Sequence, residues 1–491
     1  MNQSYFKQSF CILLLATLLF VGLKPYLPTR IFPEGKLSSP NIVVDSLMLE
    51  ALAGKDIDEV LSKNVDTLST KDIPKQSFTD TLKGNTLDND NLQPFFRKLQ
   101  QLESTGRGHI RIGYFGDSMT DGDYIVQDLR ALFQETFGGS GVGFIPITSE
   151  SAASRGSVRH TYSNNWKRES YVNVKRPTRP FGIAGQVFFV KSPTLTWVEY
   201  KASGQPHISQ MYTPTLFYGS SGNTEGYIEI RYNGDTTRVI KPLIADKRLN
   251  TITLAQGNVK GLRINFFRAD SIPIYGVNST NAEGVHIDNF SSRGNSGLPL
   301  SLFNTKLMQD FDTALGNYDL IVLHFGANVL NYGTLDYSWY QRGMTKVINQ
   351  LRTCFPEASF LIISTADKSS KYGMEMKTDT AVEPLSLAQQ AYAKDTHSGF
   401  INLYKLMGGE GSMLKWVGAN PPLAGKDYTH FNARGSKKVA QLLYKELIKE
   451  YLAFKNPKDT PEQIEQLMQA SKDSLLHKGS ITDFLKREEK E

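Results

Sequence analysis

The sequence predicts an α/β fold in which a parallel sheet forms a three-layer domain and is interrupted by an inserted all-β sandwich. Three observations predict it. Strand-like apolar runs alternate with amphipathic helical patterns over residues 91–139 and again over 280–455. Between them, 140–279 holds only short β-like segments separated by turn signals, a spacing that suits a sandwich rather than βαβ units. Apolar residues make up 40% of the chain with Gly and Pro near average, which excludes fibrous and largely disordered classes.

Taken in order, Lys7 precedes the apolar run Phe10 to Leu23, which ends at Lys24. Such a run at the start of a chain reads as an export signal over 1–24, either a signal peptide or a retained N-terminal membrane anchor. Val21-Gly22-Leu23 is a poor cleavage site, which favours the anchor. Residues 25–90 read as tether and linker, with one weakly amphipathic stretch from Val43 to Leu61. PFFRKLQQLESTG predicts a helix with a Gly stop, HIRIGYFGDS a strand running into a tight turn, and DYIVQDLRALFQETFGG the next helix. In the insertion, QVFFV, TLTWVEYK, GYIEIRYNG, TRVIKPL, NTITLAQG and GLRINFFRA are the strand candidates. Beyond Gly284, YDLIVLHFGAN and SFLIIST predict buried strands, while WYQRGMTKVINQLRTCF and GSKKVAQLLYKELIKEYLAF predict helices. The charged segment 456–491 reads as a tail.

A net charge of +6 from 55 basic and 49 acidic residues is mild, and no zinc-finger spacing, RNP-like aromatic pattern or basic helix accompanies it, so nucleic acid is not expected as a partner. With only Cys11 and Cys354, a disulfide framework is excluded, and Cys354 reads as a buried structural thiol.

The chemistry collects at four places. Gly116-Asp117-Ser118 follows a strand and precedes a helix, so Ser118 stands at the carboxyl edge of the sheet, where open α/β sheets bind ligands. A serine hydroxyl needs a positioned base to act as a nucleophile. Asp427 and His430, three residues apart just before the last long helix, can supply one, the Asp orienting the imidazole toward Ser118. Acyl transfer also needs donors for an oxyanion. Gly294 in NFSSRGNSG, with Gly297 as the alternative, and Asn328 in HFGAN are the candidates. No cluster with metal-ligand spacing is present in the sequence, and neither a metal nor an organic cofactor is expected.

The order GDS, NFSSRGNSG, GAN and DYTH resembles blocks I, II, III and V of the SGNH (GDSL-like) serine hydrolases. The resemblance implies a flavodoxin-like three-layer domain, Ser118 as nucleophile, Asp427 and His430 completing the triad, and an oxyanion hole from Ser118, Gly294 and Asn328. Met119 and Val329 depart from the commoner residues at their positions. A β-sandwich between blocks I and II is similar to the layout of bacterial peptidoglycan O-acetylesterases, whose insertion resembles a carbohydrate-binding module. By that resemblance the substrate is an acetylated glycan, peptidoglycan or another polysaccharide, and the protein works in the periplasm or at the cell surface, held to the membrane if its N-terminus is retained. An O-acetyltransferase using the same triad and a catalytically inactive glycan-binding protein remain alternatives.

Within the insertion, Trp166, Tyr171, Trp197 and Tyr200 read either as core or as flat faces for sugar rings. Arg155, Arg159, Lys167 and Arg168 read either as a basic contact for an anionic glycan or as a solvated loop.

Overall fold

The computed structural model describes residues 45–52, 89–191, 195–233, 235–330 and 334–477. The expected signal or anchor over 1–24, most of the 25–90 tether and the end of the tail lie outside these residues. Among the described residues no helix is long and apolar enough to cross a membrane.

Five strands build the central sheet: β1 (His109–Gly116), β2 (Gly284–Asn289), β3 (Leu320–His324), β4 (Ser359–Ile363) and β5 (Gly399–Ile401). They pair in parallel in the order β2-β1-β3-β4-β5. LIVL in β3 and FLII in β4 are apolar at successive positions because a parallel sheet is covered on both faces. Helices α1 (Ser46–Leu52), α2 (Gln93–Thr105), α3 (Val126–Phe137), α4 (Thr305–Leu315), α5 (Ser338–Cys354), α6 (Val382–Asp395), α7 (Ala433–Lys455) and α8 (Pro461–His477), with the short helices Leu403–Leu406 and Ser412–Gly418, belong to the same domain.

The two covering layers follow from strand alternation. Ile110, Ile112 and Tyr114 of β1 share a core with α2, α3 and α7, through residues such as Leu99, Phe133 and Leu443. Phe115, Ile321 and Leu323 face the opposite way and share a core with α4, α5 and α6, through Phe311, Ile348 and Leu385. Cys354, at the end of α5, is fully buried, and burial pushes its thiol up to about 11, as expected of a structural cysteine. The strand Gly399–Ile401, helices α4 and α6, and the hairpin of Ser369–Tyr372 with Glu375–Thr378 add to the predicted elements.

The insertion enters on the strand Gly141–Pro146 and leaves on Ile274–Thr280, and these two pair antiparallel. Both belong to a six-stranded sheet with Lys167–Ser170, Gln186–Phe189, Thr215–Gly219 and Leu249–Thr253. A second sheet contains Val158–Tyr162, Thr196–Ala202, Tyr227–Tyr232, Arg238–Pro242 and Gly261–Phe267. Val198, Ile228 and Ile264 of the second sheet pack against Phe188, Leu216 and Val277 of the first, giving the sandwich core.

The other face of the six-stranded sheet is apolar as well. Phe144, Phe217 and Tyr275 meet Phe311 of α4 with ring centroids 5.3–6.1 Å apart, so the sandwich and the α/β domain share one aromatic core. A buried polar junction reinforces it. Arg111 of β1 donates through Nε and Nη2 to Asp288 of β2 at 2.7 and 2.9 Å and through Nη2 to Asn278 at 2.7 Å. Asp288 also accepts from the Phe144 N–H at 2.7 Å and the Tyr318 hydroxyl at 2.6 Å.

In the insertion the core reading of the aromatics holds for Tyr171 and Tyr200, and one expectation needs correction. Tyr171 and Tyr200 are fully buried and cannot offer a face to a sugar: Tyr171 stacks on Phe303, and Tyr200 stacks on His160 and donates to the Pro146 carbonyl. Trp166 packs edge-on against Phe266, while Trp197 lies beneath the Arg263 guanidinium at 3.9 Å. Arg155 is not part of a solvated basic stretch, because its side chain is 6% exposed and turned toward Asp123.

Asp288→Ala leaves Arg111 buried without its partner, which costs about 3–5 kcal/mol. Equilibrium urea unfolding of the full chain should show that loss, and Phe311→Ala should give one of similar size, about 3–5 kcal/mol, through the shared core.

Candidate active site

The site is assembled on the turn that follows β1. A side chain at Gly116 would place its Cβ 2.2 Å from Thr120 Oγ1 and 3.0 Å from Ser291 Oγ, so only glycine lets the turn close. Asp117 is 1% exposed and joins two loops: Oδ1 accepts from the Met119 N–H at 2.9 Å, and Oδ2 from the Ala327 N–H at 3.2 Å, in the loop after β3. Burial pushes the Asp117 carboxyl up to about 6, against the lowering effect of those N–H donors and of His430. Further along, Asp123 accepts both terminal nitrogens of the buried Arg130 at 2.9 and 3.0 Å. Burial opposes the Asp123 charge, but Arg130 and Arg155 outweigh it and hold the carboxyl far below the usual carboxylate range.

Ser118 follows Asp117 directly, and its Oγ lies 2.9 Å from His430 Nε2. His430 Nδ1 lies 2.7 Å from Asp427 Oδ2, so the three side chains form one continuous chain of hydrogen bonds. Asp427 Oδ1 accepts from the N–H groups of Thr429 and His430, both at 3.1 Å. Burial works to raise the Asp427 carboxyl, but the His430 ring and these two N–H groups prevail and hold it at about 2. It is therefore a carboxylate at neutral pH. The loop bearing the pair is fixed at both ends. Ser369 N–H donates to the Tyr428 carbonyl at 3.0 Å, Gly425 N–H to that of His430 at 2.8 Å, and Asn432 caps α7 by accepting from Gly435 N–H at 3.1 Å.

Gly294 takes a φ of +78°, a left-handed conformation that favours glycine. Among the described residues neither its N–H nor that of Ser118 is engaged by the protein. Gly297 differs: its N–H donates to Asn295 Oδ1 at 2.9 Å, and an added Cβ would lie 2.9 Å from Met344 and Phe325. Of the two glycines, Gly294 is thus the one with a free donor. Asn328 Nδ2 gives one hydrogen to the Asn295 carbonyl at 3.2 Å, which leaves its second N–H. Parallel pairing sets Gly116 opposite His324, so Ser118 and Asn328 leave the same edge of adjacent strands. Val329 and Met119, the two departures from the commoner pattern, are buried apolar residues of the cores.

A polar contact also links the loop of Gly294 to the insertion. Arg293, beside Gly294, reaches Asp121 at 2.9 Å with a side chain 51% exposed, and Ser151 of the insertion donates to the same carboxylate. Asp117, within the GDS tripeptide, is a further residue of the site. Its neighbour Ser118 was the available signal.

No protein-family model matches the chain, and no curated protein matches it in sequence. Solved structures do match. A peptidoglycan O-acetylesterase aligns with a TM-score of 0.61 over 75% of this chain and 99% of its own, at 22% identity. The chain has the SGNH-hydrolase fold with a β-rich insertion. An acetyl xylan esterase matches 33% of this chain and 81% of its own at 21% identity, with a TM-score of 0.26. A family two carbohydrate esterase from Cellvibrio japonicus matches 60% and 98% at 10% identity, with a TM-score of 0.25. Overlaps that low add nothing to the assignment of the fold.

A fluorophosphonate, which traps a serine activated by a neighbouring base, should label the chain once. Peptide mapping should find the label on Ser118, and His430→Ala should slow labelling at least about a hundredfold, the scale of a lost general base.

Proposed function

We propose that the chain is a serine esterase that removes O-acetyl groups from a glycan of the cell envelope, peptidoglycan foremost, through an acetyl-serine intermediate. The observation that carries the reading is the unbroken Ser118–His430–Asp427 hydrogen-bond chain beside the free N–H groups of Ser118 and Gly294. In the first half-reaction Ser118 Oγ attacks the acetyl carbonyl carbon while His430 Nε2 takes its proton. The Nδ1–H of the resulting imidazolium donates to Asp427, whose carboxylate charge stabilises it. The carbonyl oxygen becomes an oxyanion, and the Ser118 and Gly294 N–H groups with the Asn328 amide donate to it. Collapse of the tetrahedral intermediate expels the sugar oxygen, which takes the proton from His430. Water then attacks the acetyl-serine with His430 again as base, releasing acetate and restoring Ser118.

The envelope glycan is supported by two independent features. One is the apolar run Phe10 to Leu23, which suits export with or without a retained anchor. The other is the shared fold with a peptidoglycan O-acetylesterase, over nearly the whole of that protein.

Acetate release from O-acetylated peptidoglycan and from acetylated xylan tests the proposal. Wild-type chain should release acetate from peptidoglycan, and Ser118→Ala and His430→Ala should each lose on the order of a thousandfold or more in kcat/KM. Asp427→Asn should keep the fold and still lose on the order of ten-thousandfold in kcat, because His430 is then held in the wrong tautomer. Transfer of the acetyl group to an added oligosaccharide without acetate release would replace hydrolysis by acetyl transfer. Absence of both would end the catalytic reading.

A further inference from the structure

The segment ahead of the hydrolase domain carries a buried carboxylate that grips the loop of Gly294. Asp45 is fully buried. Its N–H donates to the Gly294 carbonyl at 3.2 Å, and its Oδ2 accepts from the Ser296 N–H at 2.8 Å, so this single residue holds the loop on both sides of Asn295. Its other oxygen, Oδ1, accepts from the Met48 N–H at 2.7 Å and so ties the same carboxylate to the first turn of α1. Leu47 and Met48 of α1 are fully buried in the core that also contains Leu298, just past the loop.

The rest of the loop is held by side chains from three other parts of the chain. Tyr340 of α5 donates to the Ser296 carbonyl at 2.6 Å, Asn295 donates to the Tyr171 hydroxyl of the insertion at 3.0 Å, and Asn328 donates to the Asn295 carbonyl at 3.2 Å. Asp45 is the carboxylate of this set. Burying a carboxylate is unfavourable, and burial pushes that of Asp45 up to about 6 against the lowering effect of its N–H donors. Capping a seven-residue helix does not require it, because an exposed Ser or Asn serves a cap equally well. What the buried carboxylate supplies here is a fixed acceptor that ties the Ser296 N–H of the loop to the first turn of α1, while the Asp45 backbone N–H holds the Gly294 carbonyl on the other side of Asn295.

We propose that Asp45 is a positioning residue for the oxyanion loop, so that the Gly294 N–H takes its working orientation only while the segment Asp45–Leu52 is docked. The inference rests on the esterase reading in which Gly294 is an oxyanion donor. Its consequence is that the region preceding the hydrolase domain contributes to turnover as well as to placement of the enzyme. Displacement of that short segment would lower activity without touching the triad.

The test uses the full-length chain with Asp45→Ala, the milder Asp45→Asn, and Leu99→Ala, which opens a cavity in the opposite core and serves as the stability control. Two readouts are taken: kcat and KM on a small acetyl ester, and amide hydrogen exchange over residues 292–298. Asp45→Ala should lower kcat by about tenfold to a hundredfold, less than or comparable to deleting an oxyanion donor outright. KM should stay near the wild-type value, loop exchange should accelerate, and Asp45→Asn should fall between. Leu99→Ala should keep wild-type kcat and wild-type loop exchange. Wild-type kcat in both Asp45 variants, or an equal loss in Leu99→Ala, overturns the proposal. The exchange arm does not need turnover. If the wild-type chain hydrolyses no ester, the esterase reading fails by itself, and unchanged loop exchange in Asp45→Ala separately overturns the positioning role.

Discussion

The parallel pairing of β1 between β2 and β3 is the constraint on which the rest of the site depends. With Tyr114 opposite Asn289 and Gly116 opposite His324, the three strands end together, and the turns that follow them carry Ser118, Gly294 and Asn328. In the order β2-β1-β3-β4-β5 the connections diverge on either side of β1, which opens a crevice at the carboxyl edge. A slip of one residue would reverse the faces of β1, exposing the Ile110, Ile112 and Tyr114 side to the wrong core. The two apolar cores therefore fix the register, and the register fixes the site. His430 arrives separately, on the loop ahead of α7, and Asp117 then ties the Ser118 turn to the loop of Asn328 through the Ala327 N–H.

The insertion is bound into this frame by a shared core. Its six-stranded sheet is apolar on both faces, one serving the sandwich and the other meeting Phe311 and Phe290 of the α/β domain. The Arg111–Asp288 pair crosses the same junction and satisfies backbone and side-chain groups of the insertion. An insertion fused in this way also reaches the Gly294 loop, through Ser151 and Arg293 on the shared carboxylate of Asp121.

Much of the fold was legible because its signals are local. The apolar run LIVLHF, the Gly stop after Thr105 and the long amphipathic pattern after Asn432 each specify an element without outside help. Ser118, His430 and Asp427 were legible for a similar reason, since a strand-to-helix GDS turn and a DYTH loop before a helix have few other uses in combination. What the sequence left open depends on tertiary contacts. Gly294 and Gly297 look alike in NFSSRGNSG, and what separates them is tertiary: the bond from the Gly297 N–H to Asn295 and the packing of Gly297 against Met344 and Phe325. Tyr171 and Tyr200 have the composition of a sugar platform, yet strand alternation and neighbouring sheets bury both. Asp45 gave no signal, because a capping Asp in a weakly amphipathic stretch looks the same whether it faces water or closes over a loop more than two hundred residues away.

In the proposed mechanism Ser118 forms a covalent acetyl intermediate under the control of His430 and Asp427. Rapid quenching of wild-type chain with an acetyl ester, followed by mass spectrometry of the tryptic peptides, tests it most directly. One acetyl group is expected on the peptide containing Ser118, absent in Ser118→Ala and strongly reduced in His430→Ala. Acetate release without any acetylated peptide, or acetylation at another residue that survives in Ser118→Ala, would contradict it.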